Sequence, residues 1–306
     1  MQPGRIPEGS RDDADIQGKM LNMNSQHHPY ADVNIALLTQ HGKQRVIGPS
    51  LEKRLGCQVH HVDSYDTDQL GTFTRDIPRL GTQMESARKK AHLAIELSGM
   101  PCGLGSEGAL IPDPYIGMAP WNLELIVFID CLRDLEVVGM AQSHSNFHHR
   151  LIDAWSTLQS FAHKVGFPEQ SLVVRPRSEH DHRILKGIDT WPALEAAFAW
   201  AVSSADNSLA FIETDGRAHA NPLRMANIGM AATDLASKLA SLCPACGTPG
   251  YWRVAHLEGL PCEACGTPTR ETRAQVYGCL KCPHRETRAM NGTHRADPGC
   301  CNICNP

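Results

Sequence analysis

Four pairs of cysteines, each with two residues between its members, dominate the C-terminal part of this 306-residue chain. Nine of the twelve cysteines lie in the last 64 residues, and eight of them form these pairs. A C-x2-C turn places two thiolates on one side of a tight knuckle, and two knuckles complete a tetrahedron of sulfur around zinc. The predicted zinc ligands are Cys243, Cys246, Cys262, Cys265, Cys279, Cys282, Cys301 and Cys304.

The pairing of these knuckles is open at the level of the sequence. Disulfide bonds are disfavoured, because four repeated C-x2-C pairs in a chain without an export signal point to metal. Fifteen residues separate the first two pairs and eighteen the last two, which fits two sequential zinc ribbons better than an interleaved cross-brace. Cys300 is interpreted as a spectator beside Cys301, or as a substitute ligand. Four cysteines leave no open coordination position, so both zinc ions are predicted to be structural.

The charge of the tail argues against nucleic acid as its partner. Residues 241–306 carry seven Lys and Arg against five Asp and Glu. Eight thiolates and two Zn²⁺ bring the formal charge to about −2, a poor footprint for a phosphate backbone. A docking role on its own chain or on a partner protein is therefore favoured, although the arginines and aromatic residues of the tail keep nucleic acid as an alternative.

Polar residues that follow predicted strands suggest phosphate chemistry in the preceding region. The strand at 33–39 leads into Gly42 and Lys43, where a lysine and free helix amides can attract an anion, or where the lysine is simply solvated. The strand at 58–63 leads into the segment DTDQLGTFTRDIPR, residues 66–79. Its aspartates suit Mg²⁺ and its arginines suit phosphate, unless the loop satisfies its own backbone. The candidates are Lys43, Asp66, Asp68, Arg75 and Arg79.

Two later stretches add carboxylates to this list. In GLGSEGALIPDP, residues 103–114, glycines flank a glutamate, which predicts a tight turn that projects the carboxylate toward a ligand. In ETDGRAHANPLRM, residues 213–225, two carboxylates end a strand two residues apart and are predicted to point to the same side. Structural salt bridges explain any one of these residues better than all of them. The candidates are Glu107, Glu213, Asp215 and Arg217.

Alternating strand-like and helix-like patterns place these residues in an α/β domain with a mixed sheet flanked by helices. The abrupt rise in cysteine content near Ser241 divides this domain, 31–240, from a small double zinc-ribbon module, 241–306. Residues 1–30 are polar and of mixed charge, so we expect them to be disordered. The predicted helices are 43–56, interrupted or shifted by a proline, 81–99, 151–165, 191–205 and 222–239. The other predicted strands are 124–130, 135–141, 171–176 and 208–215.

Composition excludes several classes of protein. A net charge of −4 gives no general attraction to nucleic acid or to an anionic membrane. No apolar run approaches the roughly 18 residues of a membrane helix, and the first residues lack the apolar core of a secretory signal. We therefore expect a cytoplasmic protein without a membrane partner.

The motifs HGK, DTDQLGTFTRDIPR, SEGA and ETDGRAHANPLRM, with the tail motifs CPACGTPG, CEACGTPT, DPG and NP, resemble a bacterial family described as domain of unknown function 6671. The resemblance covers nearly everything after residue 31. It implies an α/β body with a zinc-ribbon end, and it implies no activity because the family is uncharacterised.

A second resemblance, to house-cleaning nucleoside triphosphate pyrophosphatases, carries more chemistry. The segments TQHGK, GTQMESARKKAHLA and GLGSEGA occur here in the order of that family's phosphate loop, helix and acidic turn. The resemblance implies that Lys43 contacts a triphosphate and that Glu107 is a metal ligand. The chain departs from the pattern at His41, where asparagine is expected, in a loop one residue shorter, and at Ser106 and Ala109 around the acidic residue.

Two functions follow from these observations. The first is a Mg²⁺-dependent hydrolase of a nucleotide or other phosphorylated small molecule, in which the carboxylates hold the ion and the cations neutralise phosphate charge. The second is a non-enzymatic ligand sensor or adaptor whose zinc tail contacts protein or nucleic acid. The first requires that distant segments bring their charged groups around one cavity of the α/β domain.

Overall fold

The computed structural model describes residues 28–70, 81–113, 117, 120–290, 292 and 295–306, without the side chain of Asp68. The predicted disorder of residues 1–30 therefore lies almost wholly outside the described residues. Tyr30 is fully buried, and its hydroxyl donates a hydrogen bond of 3.0 Å to Asp130. Residues 28–30, which the prediction places in the disordered tail, therefore pack against the described body.

A five-stranded mixed sheet forms the first half of the body, as the sequence predicted. Strands β1, β2 and β3 are parallel where they pair, and β3, β4 and β5 are antiparallel, in the order β2-β1-β3-β4-β5. The chain goes from β1 to one neighbour and returns on its other side, so the carboxyl end of β1 is a topological switch point. The strands are β1 (Asn34–Leu38), β2 (Gln58–Val62), β3 (Cys102–Pro112), β4 (Pro120–Asp130) and β5 (Leu135–His144).

Helices cover both faces of this sheet. The described helices are α1 (Gln44–Leu55), α2 (Gln83–Ser98), α3 (Trp155–Val165), α4 (Trp191–Ser204) and α5 (Pro222–Ala240). Helix α2 packs on one face, and α1 and α5 pack together on the other. Alternate residues of β4 serve the two faces: Ile126 and Phe128 join the core with α1 and α5, whereas Val127 joins the core with α2. This alternation is the two-residue period of a strand buried on both sides.

A second, antiparallel sheet completes the body. Its order is β6-β9-β7-β8, and α3 and α4 pack on one of its faces around Leu158, Leu194 and Ile212. The sequence predicted strands in this region without separating them from the first sheet. The strands are β6 (His149–Ile152), β7 (Leu172–Pro176), β8 (Leu185–Ile188) and β9 (Ala210–Thr214).

Two predicted helix limits are wrong. Helix α1 continues through Pro49, which is exposed, because Ile47, Leu51 and Leu55 bury the opposite side of the helix. The predicted helix at 151–165 starts only at Trp155, because the preceding apolar residues pair with β9. In both cases tertiary packing outweighs the local pattern.

The predicted acidic turn at 103–114 is instead strand β3, and this is the most important correction to the fold. The glycines serve close packing rather than turning. A Cβ atom at Gly103 would meet the backbone oxygen of Ala91, and one at Gly105 would meet that of Ala87. Without those atoms, the backbone of α2 lies directly against β3. Helix α2 itself is well delimited, by a capping box of Thr82 and Glu85 at its start.

The C-terminal module is a three-stranded antiparallel sheet. Its strands are β10 (Trp252–Glu258), β11 (Thr272–Gly278) and β12 (Arg285–Ala289), in sequential order. It docks on the β4–β5 turn, where Lys281 forms an ion pair of 2.8 Å with Asp134. Among the described residues, no helix has the length and apolar character needed to cross a membrane.

A substitution tests the close packing of α2 on β3. Gly105→Ala places a Cβ atom against the backbone of Ala87 and 2.6 Å from the nitrogen of Ala91, neither of which can move without shifting the helix. We expect the free energy of unfolding to fall by about 2 kcal/mol or more, the cost of overpacking a rigid core. Urea denaturation, monitored by circular dichroism, measures this change in the free energy of unfolding.

Gly48→Ala in α1 is the matched control. The nearest atom to its added Cβ would be 3.7 Å away, an ordinary contact, and alanine is the better helix former. Equal stability of the two variants would contradict the packing argument.

Candidate metal centres and a buried polar site

The eight paired cysteines form two groups of four. Within each group the sulfur atoms lie close enough together to hold one metal ion. The groups are interleaved, so the first knuckle pairs with the third and the second with the fourth, and the favoured sequential pairing is wrong. The groups are Cys243, Cys246, Cys279 and Cys282, and Cys262, Cys265, Cys301 and Cys304.

The strands between the knuckles explain this pairing. In the part that the structure describes, each link from one knuckle to the next contains a single strand and no return strand. A seven-residue strand such as β10 or β11 carries the chain roughly 20 Å, so consecutive knuckles lie at opposite ends of the sheet. The sequence holds a sign of this, because the first turn-forming residue after Tyr251 is Gly259, directly before the second knuckle.

The sulfur separations fit a tetrahedral zinc site. The closest pairs in the first group are 3.7 Å for Cys243 and Cys282, and 3.6 Å for Cys246 and Cys279. In the second group they are 3.9 and 3.6 Å. Sulfur at about 2.3 Å from zinc gives tetrahedral edges of about 3.8 Å, whereas a disulfide needs about 2.05 Å. All twelve cysteines lie in the described residues and none forms a disulfide.

The repeated sequence C-x2-C-G-T-P builds the first two knuckles. Gly247 and Gly266 both have a φ of 73°, a left-handed conformation that favours glycine. The threonine that follows each glycine contacts the second cysteine: the Thr248 hydroxyl is 3.2 Å from Cys246 Sγ. Hydrogen bonds from Thr248 lower the pKa of Cys246 to about 6, and Thr267 does the same for Cys265. These thiols are therefore prepared for the thiolate form that binds metal.

A second cluster lies in the body, at the carboxyl end of β1. Lys43 is buried, and its Nζ donates to the backbone oxygen and the hydroxyl of Ser106, both at 3.3 Å. On the other face of β3, Lys90 of α2 forms a buried ion pair of 2.6 Å with Glu107. Lys43 and Glu107, both predicted site residues, thus lie on opposite faces of β3, with Lys43 at Ser106 beside Glu107, and Glu107 already has a lysine partner.

A further buried ion pair joins the start of α5 to β4. The Arg224 Nε lies 2.6 Å from Glu124, and another of its nitrogens donates to the carbonyl oxygen of Gly216. Burial, together with the charges of Arg224 and Lys90, lowers the pKa of Lys43 from its ordinary 10.5 to about 7, against the opposing effect of Glu107 and Glu124. The two cations and two carboxylates of these ion pairs therefore all act on Lys43.

The different lengths of β1 and β3 create this site. Strand β1 pairs with β3 only as far as Leu37 and Leu104, and β3 then continues for eight residues without it. The turn after β1 folds back with Gly42 in a left-handed conformation (φ 71°), and Lys43 then contacts Ser106 in the part of β3 that β1 does not pair with. The site thus lies at the carboxyl end of β1, the position at which open α/β sheets usually bind ligands.

The other candidate residues lie elsewhere. Asp215 accepts hydrogen bonds from the backbone of Gly187 and is paired with Arg217 at 2.7 Å. Glu213, on β9, faces Arg175 at 3.6 Å. Both carboxylates have local cationic partners, and the prediction that they act together toward one ligand gains no support.

The loop after β2 is only partly described. Asp66 is exposed, and Asp68 belongs to a short 3-10 turn, Thr67–Leu70. Arg75 and Arg79 lie outside the described residues. Among the described residues, the only groups of three or more side chains suited to a metal are the two cysteine groups. No preformed acidic group of this kind is present among the described residues, which do not include the side chain of Asp68 or residues 71–80.

Sequence reasoning missed Lys90 and gave no assigned role to Glu124 and Arg224. Lys90 stands in the run ARKKA, which reads as a solvated face. Its spacing from Ala87, Ala91 and Ala94 nevertheless puts it on the buried side of α2, and a helical projection would have shown this. Glu124 and Arg224 are 100 residues apart in the sequence, so no local pattern predicts that they pair with each other.

The fold and the cysteine groups define a mixed α/β protein with a C-terminal cysteine-rich module whose two groups could each hold a metal ion. The chain belongs to the family described as domain of unknown function DUF6671, whose model matches residues 90–306. The expected family is thus confirmed, although the motifs around Lys43 and residues 66–79 precede the matched segment. No curated protein and no solved structure matches the chain.

Double variants test the interleaved pairing. Cys246→Ser with Cys282→Ser breaks one group only, so we expect about one zinc ion per chain. Cys246→Ser with Cys265→Ser breaks both groups, so zinc content falls toward none. Sequential ribbons would give the opposite pattern, with one zinc in the second variant. Mass spectrometry of the intact protein under native conditions, beside the unmodified chain, measures the content.

The buried Lys43 predicts a specific pH dependence of stability. Between pH 7 and about 10 the unfolded chain binds a proton at Lys43 that the folded chain does not. The free energy of unfolding should therefore rise with pH across this window, relative to Lys43→Met, by up to about 1.4 kcal/mol per pH unit. Below pH 7 the two curves should run parallel. Parallel curves across the whole range would show that the folded protein keeps Lys43 charged.

Proposed function

We propose that the body binds and hydrolyses a phosphorylated small molecule at the carboxyl end of β1, and that the two cysteine groups hold structural Zn²⁺. The observation that carries the first part is the buried Lys43, which has no carboxylate within ion-pair distance among the described residues. The zinc part is supported by the sulfur geometry and by the complete set of four thiolates in each group.

The charge balance of the site favours an anionic ligand. Lys90 is paired with Glu107, and Arg224 with Glu124, so these charges compensate each other. Lys43 is the third cation, and among the described residues its Nζ donates hydrogen bonds to Ser106, which is neutral. A phosphate group would bring negative charge to Lys43 beyond that of Glu107 and Glu124, and it would favour the ammonium form of Lys43. Helix α1 begins at this point without a side-chain cap, and the positive end of its dipole adds to the attraction.

Hydrolysis requires that water attack a phosphorus atom while the bond to the leaving oxygen breaks. Lys43 would offset the charge that develops on the phosphoryl oxygens, and Glu107 would bind Mg²⁺ brought in by the ligand, after release from Lys90. The order of the motifs around Lys43 and Glu107, similar to that of house-cleaning nucleoside triphosphate pyrophosphatases, supports this assignment. The eight residues of β3 beyond its pairing with β1 give the proposed reaction a place at the carboxyl end of β1.

Calorimetric titration with ATP tests the binding step. We expect Lys43→Met to weaken binding at least tenfold, because it removes the uncompensated cation but keeps an apolar side chain of similar length. Lys53→Met is the matched control: this lysine lies on the same helix but is exposed. Affinity of the unmodified chain should fall by up to tenfold per pH unit above pH 7.5, as ligand binding must protonate Lys43.

Phosphate and pyrophosphate release from a panel of nucleotides and sugar phosphates, with and without Mg²⁺, tests the hydrolytic step. Glu107→Gln should abolish turnover while the protein keeps its circular dichroism spectrum and its zinc. Ligand binding without any turnover would leave a ligand-sensing protein. If the Lys43→Met and Lys53→Met variants bind ATP equally well, Lys43 does not form a phosphate site.

A further inference from the structure

An open groove of about 550 Å³ lies between the turn after β1 and the start of α5. Its walls come from two segments that are distant in sequence. Gly42, Arg45 and Val46 line one side, and His219 and Met225 line the other. The volume is within the range of small-molecule sites, and most of the lining is apolar.

Two imidazole rings stack across this groove. The ring centroids of His41 and His219 are 5.1 Å apart and the ring planes differ by 18°. His219 is exposed and His41 is half-buried. Neighbouring Arg45 is also exposed, so a guanidinium plane is available beside the rings. Flat aromatic and guanidinium surfaces of this kind bind other flat, electron-rich rings by stacking.

The groove directly adjoins the proposed phosphate site. Gly42 lines the groove and Lys43, the next residue, points into the charged cluster. On the opposite wall, Met225 lines the groove and the preceding Arg224 points to Glu124. The turn after β1 and the start of α5 therefore each have one residue that lines the groove and a neighbouring cation that points into the buried cluster. Apart from the two chain neighbours of Gly42, no described residue has an atom within 4 Å of the position where a side chain would start there, and this space lets a ligand approach the backbone.

We propose that this groove binds the planar heteroaromatic ring of the ligand whose phosphate lies at Lys43, with the ring stacked on the His41–His219 pair. The ligand class is then the nucleoside phosphates rather than sugar phosphates or inorganic polyphosphates. This inference rests on the proposed function, because it assigns the second half of the same ligand.

Comparison of ATP with inorganic tripolyphosphate separates the two halves. We expect ATP to bind about tenfold more tightly than tripolyphosphate, the contribution of one stacked ring. His219→Ala should remove most of this difference and leave tripolyphosphate affinity unchanged, and His41→Ala should act in the same direction. His92→Ala, an exposed position on α2 and on the other face of the sheet, is the matched control and should change neither affinity.

The outcomes distinguish this inference from the proposed function. Tripolyphosphate that binds as tightly as ATP, GTP, CTP and UTP would overturn the ring subsite and leave the phosphate site intact. Nucleotide preference that survives both histidine variants would overturn the assignment to this groove. Failure of tripolyphosphate to bind at all, with no effect of Lys43→Met, would overturn the phosphate site first.

Discussion

The close contact between α2 and β3 determines the geometry of the body. Glycine at positions 103 and 105 lets the helix backbone lie against the strand, where any larger residue would push it away. That contact brings the Lys90 ammonium within 2.6 Å of Glu107 on a strand that runs past the end of its neighbour. The buried ion pair therefore depends on these two glycines, because the absence of a side chain at each position allows the short distance between α2 and β3.

Buried charge at this density is costly unless it is compensated. Two of the three cations in the site have a carboxylate partner, and the third is placed on Ser106 at the edge of β3. A protein that needed only a stable core could replace this arrangement with apolar side chains at little cost. The proposed binding site rests on this buried cation at a topological switch point, and in the same proposal the adjoining groove supplies an apolar half.

Much of the fold followed from local patterns. The strand at β1, the hairpin of β4 and β5 and the limits of α2 come from apolar alternation, caps and terminal glycines, which are local. The cysteine spacing predicted the ligands but not their partners, because pairing depends on whether a link contains one strand or two. The glycines around Glu107 were assigned to a turn, because a sequence shows the absence of a side chain and not the helix that makes use of it. Arg224 and Glu124 meet only after the whole body has folded, so their pairing was beyond local reasoning.

Loss of a metal ion would have different structural effects in the two cysteine groups. Each cysteine group joins the ends of all three strands on one side of the module. Loss of the ion from one group would free the strand ends on that side, while the other group still joins the opposite ends. With sequential ribbons, loss of an ion would instead release one hairpin completely. The third knuckle also carries Lys281, whose ammonium reaches Asp134 on the body. The first group therefore lies beside the contact between the module and the α/β body, whereas the second group joins the opposite ends of the strands.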